Sequence, residues 1–312
     1  MKRYYKEYKW SNVFEMLRNL RLDPKICEDS FDHHLVVITG ATSGIGYVTA
    51  KKYAAMGADI LCINRNEEKT TQLCQKLHSL YGTNCTYLIA DFSKLAQVHT
   101  VAKQLSELDR NIDVLIHNAG VFNTIKIITT DNMEMVFQTN YLSTFILNYY
   151  TKDKFIKQNS GRILFVNSEA YRFSAWGLNL DDLAWEKHRY AGIKSYGAAK
   201  LAQLLSMIMF NQYFSGTGVT INAMHPGNVK TNSGQNNGRI YKFSKRIFVD
   251  RTAKELNTSA EALYYLGVSS ELEGISGKFF NLTTEEEPAP PAVDREAAQN
   301  LWDISLELSG LD

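Results

Sequence analysis

The chain has little of what marks several protein classes. With 5 prolines in 312 residues it holds no proline-rich linker, and no solenoid-type repeat is found. Four cysteines, at positions 27, 62, 74 and 85, form no CxxC pair, so neither a zinc site nor a disulfide framework is expected. That usage fits a reducing cytosol, and a cytoplasmic protein is the expectation. No run of about 18 apolar residues occurs, and the opening MKRYYKEYKW lacks the apolar stretch of a secretory signal. No transmembrane segment is therefore expected. Nor does one sign of charge predominate: 34 basic against 33 acidic residues give a net charge of +1. Such balance argues against affinity built on neutralising nucleic-acid phosphates and favours small-molecule chemistry.

What is present is a core-forming composition, 45% hydrophobic and 21% charged. Apolar runs of strand length occur at 35–39, 59–64, 85–90, 113–118, 162–167, 219–224 and 278–282, separated by segments with helical spacing such as 46–56, 66–81 and 94–108. This alternation predicts an α/β fold: one doubly wound parallel sheet of about seven strands with crossover helices. The short EEEPAPP at 285–291 reads as a turn before a last helix. Ahead of the first strand, residues 1–33 form an extension that reads as helical, with Trp10, Val13, Phe14, Leu17 and Leu20 on one face. That stripe either covers the protein's own domain or dimer, or meets a partner or membrane surface.

Directly after the first strand comes Thr39-Gly40-Ala41-Thr42-Ser43-Gly44-Ile45-Gly46, then a helix. Glycines there let the backbone approach a pyrophosphate, and the free N–H groups of the helix start favour its charge. A glycine-rich turn without a ligand has the same spelling, and its position after strand one favours the cradle. Strand two ends at Asn64-Arg65, where an acidic residue would receive a ribose 2′-hydroxyl; Arg65 instead suits a 2′-phosphate, favouring NADP (NADPH) over NAD. Asp91, followed by Phe92 after strand three, is either an acceptor for the adenine amine or a helix N-cap.

Tyr196 and Lys200 stand four residues apart, on one face of a helix. An unperturbed phenol has a pKa of about 10, so a nearby ammonium is what allows it to shuttle protons near neutrality. The pair alone is common on ordinary helices. Its company decides: Asn118-Ala119-Gly120 after strand four, Asn140 in QTNYLSTF, and Ser168 after strand five, at strand ends where such sheets bind ligands.

Together, over about residues 34–310, these motifs resemble the short-chain dehydrogenase/reductase family. The resemblance implies a Rossmann fold and a catalytic tetrad of Asn140, Ser168, Tyr196 and Lys200. Tyr196 would pass a proton to the developing alkoxide, and Ser168 would position that oxygen. Lys200 would bind the nicotinamide ribose, and Asn140 would hold a water linking the lysine to solvent. His225-Pro226-Gly227-Asn228-Val229-x-Thr231 is similar to the family's segment after strand six, implying cofactor contacts at Pro226, Gly227, Val229 and Thr231, with His225 structural. Cofactor contacts are likewise implied for the glycine turn, Arg65, Asp91, Phe92 and Asn118 to Gly120.

The 28-residue step from Ser168 to Tyr196 carries an insert, SAWGLNLDDLAWEKHRYAGI, that resembles the retinol dehydrogenase-like branch. NSEAYRF, HPGN, SELEGISGKFF and LWDISLELSGL are similar to the catalytic domain of the WW domain-containing oxidoreductases. Residues 1–33 make no WW domain, since Trp10 is the only tryptophan before Trp176. The branch implies a single catalytic domain over 34–312 and a substrate lid at about 232–258. Tyr241, Phe243, Ile247 and Phe248 in that lid favour an apolar carbonyl or alcohol that is retinoid-, steroid- or aldehyde/ketone-like. A homodimer or homotetramer built on the helices of Asn140 and Tyr196 is the family's habit. Two other readings are an NADP-binding scaffold or redox sensor acting through protein partners, and a nucleotide-sugar epimerase or dehydratase. The intact tetrad opposes the first, and the glycine spacing opposes the second.

Overall fold

Strands that are apolar at every position need both faces covered, and the sheet is built that way. The computed structural model describes residues 4, 6–8, 19, 22–227 and 256–312. Strands β1 (Leu35–Thr39), β2 (Asp59–Asn64), β3 (Cys85–Ile89), β4 (Val114–His117), β5 (Gly161–Val166), β6 (Val219–His225) and β7 (Phe279–Asn281) all run parallel. Their order is β3-β2-β1-β4-β5-β6-β7, and β8 (Thr284–Glu285) adds an antiparallel edge. The helices are α1 (Gly44–Ala55), α2 (Glu67–Tyr81), α3 (Leu95–Ser106), α4 (Ser143–Gln158), α5 (Gly192–Tyr213), α6 (Leu256–Val268) and α7 (Arg295–Ser309).

Alternate residues of each strand enter two cores, one on each face. Val37, Leu61 and Leu115 pack with Phe145, Phe210 and Trp302. Val36, Ile38 and Ile116 pack with Tyr53, Tyr264 and Phe280. The chain reverses its direction of travel across the sheet between β1 and β4, which opens a crevice at their carboxyl ends. Local signals agree with the crossovers. In α2, Asn66 caps the start by accepting from the Lys69 N–H at 2.8 Å, and Gly82 ends the helix at φ 69°.

All seven strands expected from sequence are present, within a residue of their expected ends. The eighth overlaps only the first residue of the stretch read as a turn, and its Thr284 and Glu285 pair with Asn281 and Phe280. Residues 22–33 contain no helix, yet the extension is tied to the domain. Cys27 and Phe31 are buried against Tyr53 and Tyr264, and the Tyr264 hydroxyl donates to the Asp29 carbonyl at 2.5 Å. Farther forward, the Tyr4 hydroxyl donates to Asp294 at 2.5 Å and the Asn19 amide to Glu286 at 3.1 Å. The stripe from Trp10 to Leu20, the aromatic positions of the expected lid, Val229 and Thr231 lie outside the described residues.

One expectation is corrected. Cys74 and Cys85 form a disulfide across α2 and β3, with Cα atoms 5.1 Å apart, while Cys27 and Cys62 are free and buried. The tight turn after α2 returns β3 along the helix and brings the two together, a proximity set by the crossover and invisible in the spacing. Alkylation of the denatured chain should therefore modify two cysteines before reduction and all four after it. Cys85→Ser should cost about 3 kcal/mol in unfolding experiments. Four alkylated cysteines without reductant would contradict the pairing.

Candidate active site

The glycine turn is held by its neighbours. The Gly40 N–H donates to the Ile63 carbonyl at 2.9 Å and the Ala41 N–H to Asn64 Oδ1 at 2.7 Å, tying the turn to the end of β2. From β4, the Asn118 side-chain amide donates to the Thr39 and Gly40 carbonyls at 3.0 and 2.9 Å, while the Thr39 hydroxyl accepts from the Asn118 and Ala119 N–H groups at 3.0 Å each. A Cβ on Gly46 would collide with the Gly40 carbonyl and the Asn118 amide, so only glycine fits there. Ala41 and Ile45 are buried beneath the turn, Thr42 is half-buried and Ser43 is exposed. Ser43 stands at the N-cap of α1 without a side-chain cap, and no acidic residue occupies the first turn. A helix start so arranged suits an anion.

Three successive residues at the end of β2 divide the labour. Asn64 is buried and holds the turn, Arg65 is exposed beside it, and Asn66 caps α2. Asp91 accepts from the N–H and hydroxyl of Ser93 at 3.0 and 2.8 Å, so its carboxylate organises its own turn, while Lys94 takes the N-cap position of α3. Phe92 is buried, and its carbonyl accepts from Gln138 and Ser143.

The polar centre lies between β4, β5 and α5. Asn140 is fully buried in a π-helical turn, Gln138–Leu142, just ahead of α4. Its side chain clamps Val121, accepting from the N–H at 2.7 Å and donating to the carbonyl at 2.9 Å, with Gly120 lying against it. Lys200 on α5 is buried, and its ammonium donates to the Val166 carbonyl at 2.8 Å and to Gln203 Oε1 at 3.1 Å. Burial alone lowers its pKa to about 7. The same ammonium lies 5.6 Å from the ring centroid of Tyr196, and Phe122 meets that ring edge-on. Ser168 opens a 3₁₀ turn, Glu169–Ser174, where its hydroxyl oxygen accepts from the Ala170 N–H at 3.1 Å, which uses a lone pair and not the proton. That turn packs on α5 one residue past Tyr196, where any side chain at Gly197 would strike the Ala170 carbonyl.

The structure thus brings Asn140, Ser168, Tyr196 and Lys200 to one locality and the glycine turn with Asn118 to Gly120 to another, both at strand carboxyl ends. His225 ends β6 buried, with its pKa lowered to about 4 mainly by burial, hence neutral. The Pro226 carbonyl accepts from the Ser259 hydroxyl at 2.7 Å, and Gly227 follows at φ 76°. Sequence reasoning missed Thr39, Asn64, Asn167 and Gln203. Each is a buried polar residue at the end of, or within, an apolar run, and such groups need partners, which was the available signal.

The insert before α5 borders a half-open pocket of about 190 Å³ lined by Phe173, Trp176, Leu183, Trp185, Ser195 and Ala198. Ser168, Tyr196 and Lys200 do not line it, so it flanks α5 and does not cover the reacting groups. Among the described residues no helix is long and apolar enough to cross a membrane, and no cluster of three metal-ligating side chains occurs.

Comparison with known proteins follows the same lines. The short chain dehydrogenase family profile matches residues 34–178. Human retinol dehydrogenase 13 is 32% identical over 288 residues, covering 89% of this chain and 85% of the relative. A WW domain-containing oxidoreductase of Gallus gallus is 29% identical, covering 96% and 71% respectively. Among solved structures, an uncharacterised protein from Mycobacterium paratuberculosis superposes with a TM-score of 0.70 at 25% identity, over 90% of this chain and 95% of its own. A short-chain dehydrogenase from Sphingobium yanoikuyae in complex with NADPH gives 0.60 at 23%, covering 75% and 83%. Identity of that order across most of both lengths, on a sheet with the same organisation, settles the kinship: this chain belongs to the short-chain dehydrogenase/reductase family and is an oxidoreductase of its retinol dehydrogenase-like branch.

Proposed function

We propose that the protein is an NADP(H)-dependent oxidoreductase that interconverts a carbonyl and an alcohol on a fairly apolar substrate, with Tyr196 as general acid and base. The observation that carries this reading is the buried Lys200 ammonium set 5.6 Å from the Tyr196 ring. An ammonium is costly to bury, and one held beside a phenol has a use: it favours the phenolate left after proton transfer.

The residues present fit a dinucleotide. The turn from Gly40 to Gly46 presents backbone and an uncapped helix start to a pyrophosphate, and Arg65 stands exposed at the end of β2. A guanidinium pairs with a 2′-phosphate, which supports NADP over NAD. The bound nicotinamide supplies or accepts the hydride. Tyr196 donates its proton to the substrate oxygen during reduction and takes it back during oxidation. Ser168, whose hydroxyl proton is not used in accepting from Ala170, donates to the same oxygen and orients it. Lys200 stabilises the ionised Tyr196 and would help to hold a bound cofactor by its ribose hydroxyls. Phe122 beside Tyr196 offers apolar contact, which supports a bulky apolar carbonyl or alcohol such as a retinoid, steroid, aldehyde or ketone.

Three outcomes are expected. Tyr196→Phe should lower kcat by about a hundredfold or more while NADPH still quenches protein fluorescence; turnover near the wild-type rate would remove Tyr196 from the mechanism. NADPH should bind more tightly than NADH, and Arg65→Glu should erase about tenfold or more of that preference; equal binding by wild type would sink the Arg65 argument. Third, kcat/KM for carbonyl reduction should fall as pH rises through about 7. Below that pH Lys200 is charged and favours the tyrosinate formed on proton donation; above it the charge is lost and donation becomes harder. A profile flat from pH 6 to 9 would contradict this coupling.

A further inference from the structure

Gln203 lies one helical turn beyond Lys200, has no solvent exposure, and belongs to none of the motifs that identify the family. Its Oε1 accepts from the Lys200 ammonium and from the Asn167 side-chain amide, each at 3.1 Å. Its Nε2 donates to the main-chain carbonyl of Asn140 at 2.8 Å. The orientation of this amide is dictated by its neighbours. An ammonium only donates and a carbonyl only accepts, so the oxygen must face Lys200 and the nitrogen must face Asn140. Asn167 extends the chain: its Nδ2 also donates to the Lys200 carbonyl at 3.0 Å, and its Oδ1 accepts from the Ser168 N–H at 2.8 Å.

We propose that Gln203 is a positioning residue whose amide joins the Lys200 ammonium directly to the Asn140 carbonyl and, through Asn167, registers Ser168 with both. Gln203 therefore holds Lys200 against Tyr196. Among the described residues the titratable groups facing Lys200 are Tyr196 on its own helix and His117 on β4; His117 is buried, neutral and hydrogen-bonded to Asn148 at 2.7 Å. Gln203 is thus the side-chain acceptor that, with the Val166 carbonyl, solvates the ammonium.

The inference rests on the reading of Tyr196 and Lys200 as the acid–base pair, and two independent readouts separate the two claims. The first is the titration of Lys200 in the cofactor-free protein, followed by NMR of labelled lysine Cε with Lys200→Met for assignment. The second is the pH profile of carbonyl reduction with NADPH. Gln203→Leu removes the acceptor, so Lys200 should lose its proton at a pH lower by about one unit, with kcat at neutral pH falling about tenfold, KM changing little and the profile moving the same way. Gln203→Glu places a carboxylate there and should move both the other way. Gln203→Asn, one methylene shorter, should restore part of the loss. If Gln203→Leu fails to fold, the opposite shift in Gln203→Glu carries the test. Lys200 titrating as in wild type in all folded variants, with any loss confined to thermal stability, would overturn the proposal. Shifted titrations in a protein that reduces no carbonyl with NADPH would leave Gln203 in its place and sink the oxidoreductase reading of Tyr196.

Discussion

Much of this structure is arranged around one buried ammonium. Removing a charged lysine from water costs several kcal/mol unless oxygen acceptors surround it. Lys200 finds two, the Val166 carbonyl at the end of β5 and Gln203 Oε1 one turn along its own helix. The first is available because β5 ends there and its last carbonyl has no further strand partner to serve. The second is available because Gln203 is held from behind by Asn140 and Asn167. The lysine therefore fixes the relative setting of β5, α5 and the π-helical turn, and these three elements carry Ser168, Tyr196 and Asn140.

The second locality works on the opposite chemistry. There the backbone carbonyls of Thr39 and Gly40 are taken up by the Asn118 amide, and the Thr39 hydroxyl absorbs the first N–H groups after β4. Asn64 does the same from β2. With those groups satisfied by protein, the start of α1 is left without a side-chain cap or acidic residue. The positive end of that helix thus stands near the carboxyl ends of β1 and β4, where the strand order reverses.

Much of the architecture was legible because parallel strands are apolar at consecutive positions: LVVIT and DILCIN can hardly be anything else once flanked by helical spacing. Tyr196, Lys200 and the glycine turn were legible for a similar reason, since their chemistry needs fixed spacing within one element. What escaped depends on distance across elements. Strand β8 has two residues and exists only because β7 offers an edge. The bond between Cys74 and Cys85 follows from the return of β3 along α2. The bonds of the Asn118 amide to Thr39 and Gly40, and of the Asp91 carboxylate to Ser93, likewise do not show in the spacing. Gln203 was hidden in LAQLLSM, where a lone polar residue among apolar ones signals a buried partner but does not say which.

In the proposed function the charge of Lys200 enables proton transfer at Tyr196 during hydride exchange with a nicotinamide. The direct measurement is single-turnover transfer of deuterium from C4-labelled NADPH to the carbinol carbon of an apolar aldehyde or ketone, in wild type and in Lys200→Met. Label should appear in the alcohol with wild type, and transfer should be slower by about a hundredfold or more in the variant at saturating cofactor. Transfer by Lys200→Met at the wild-type rate would contradict it.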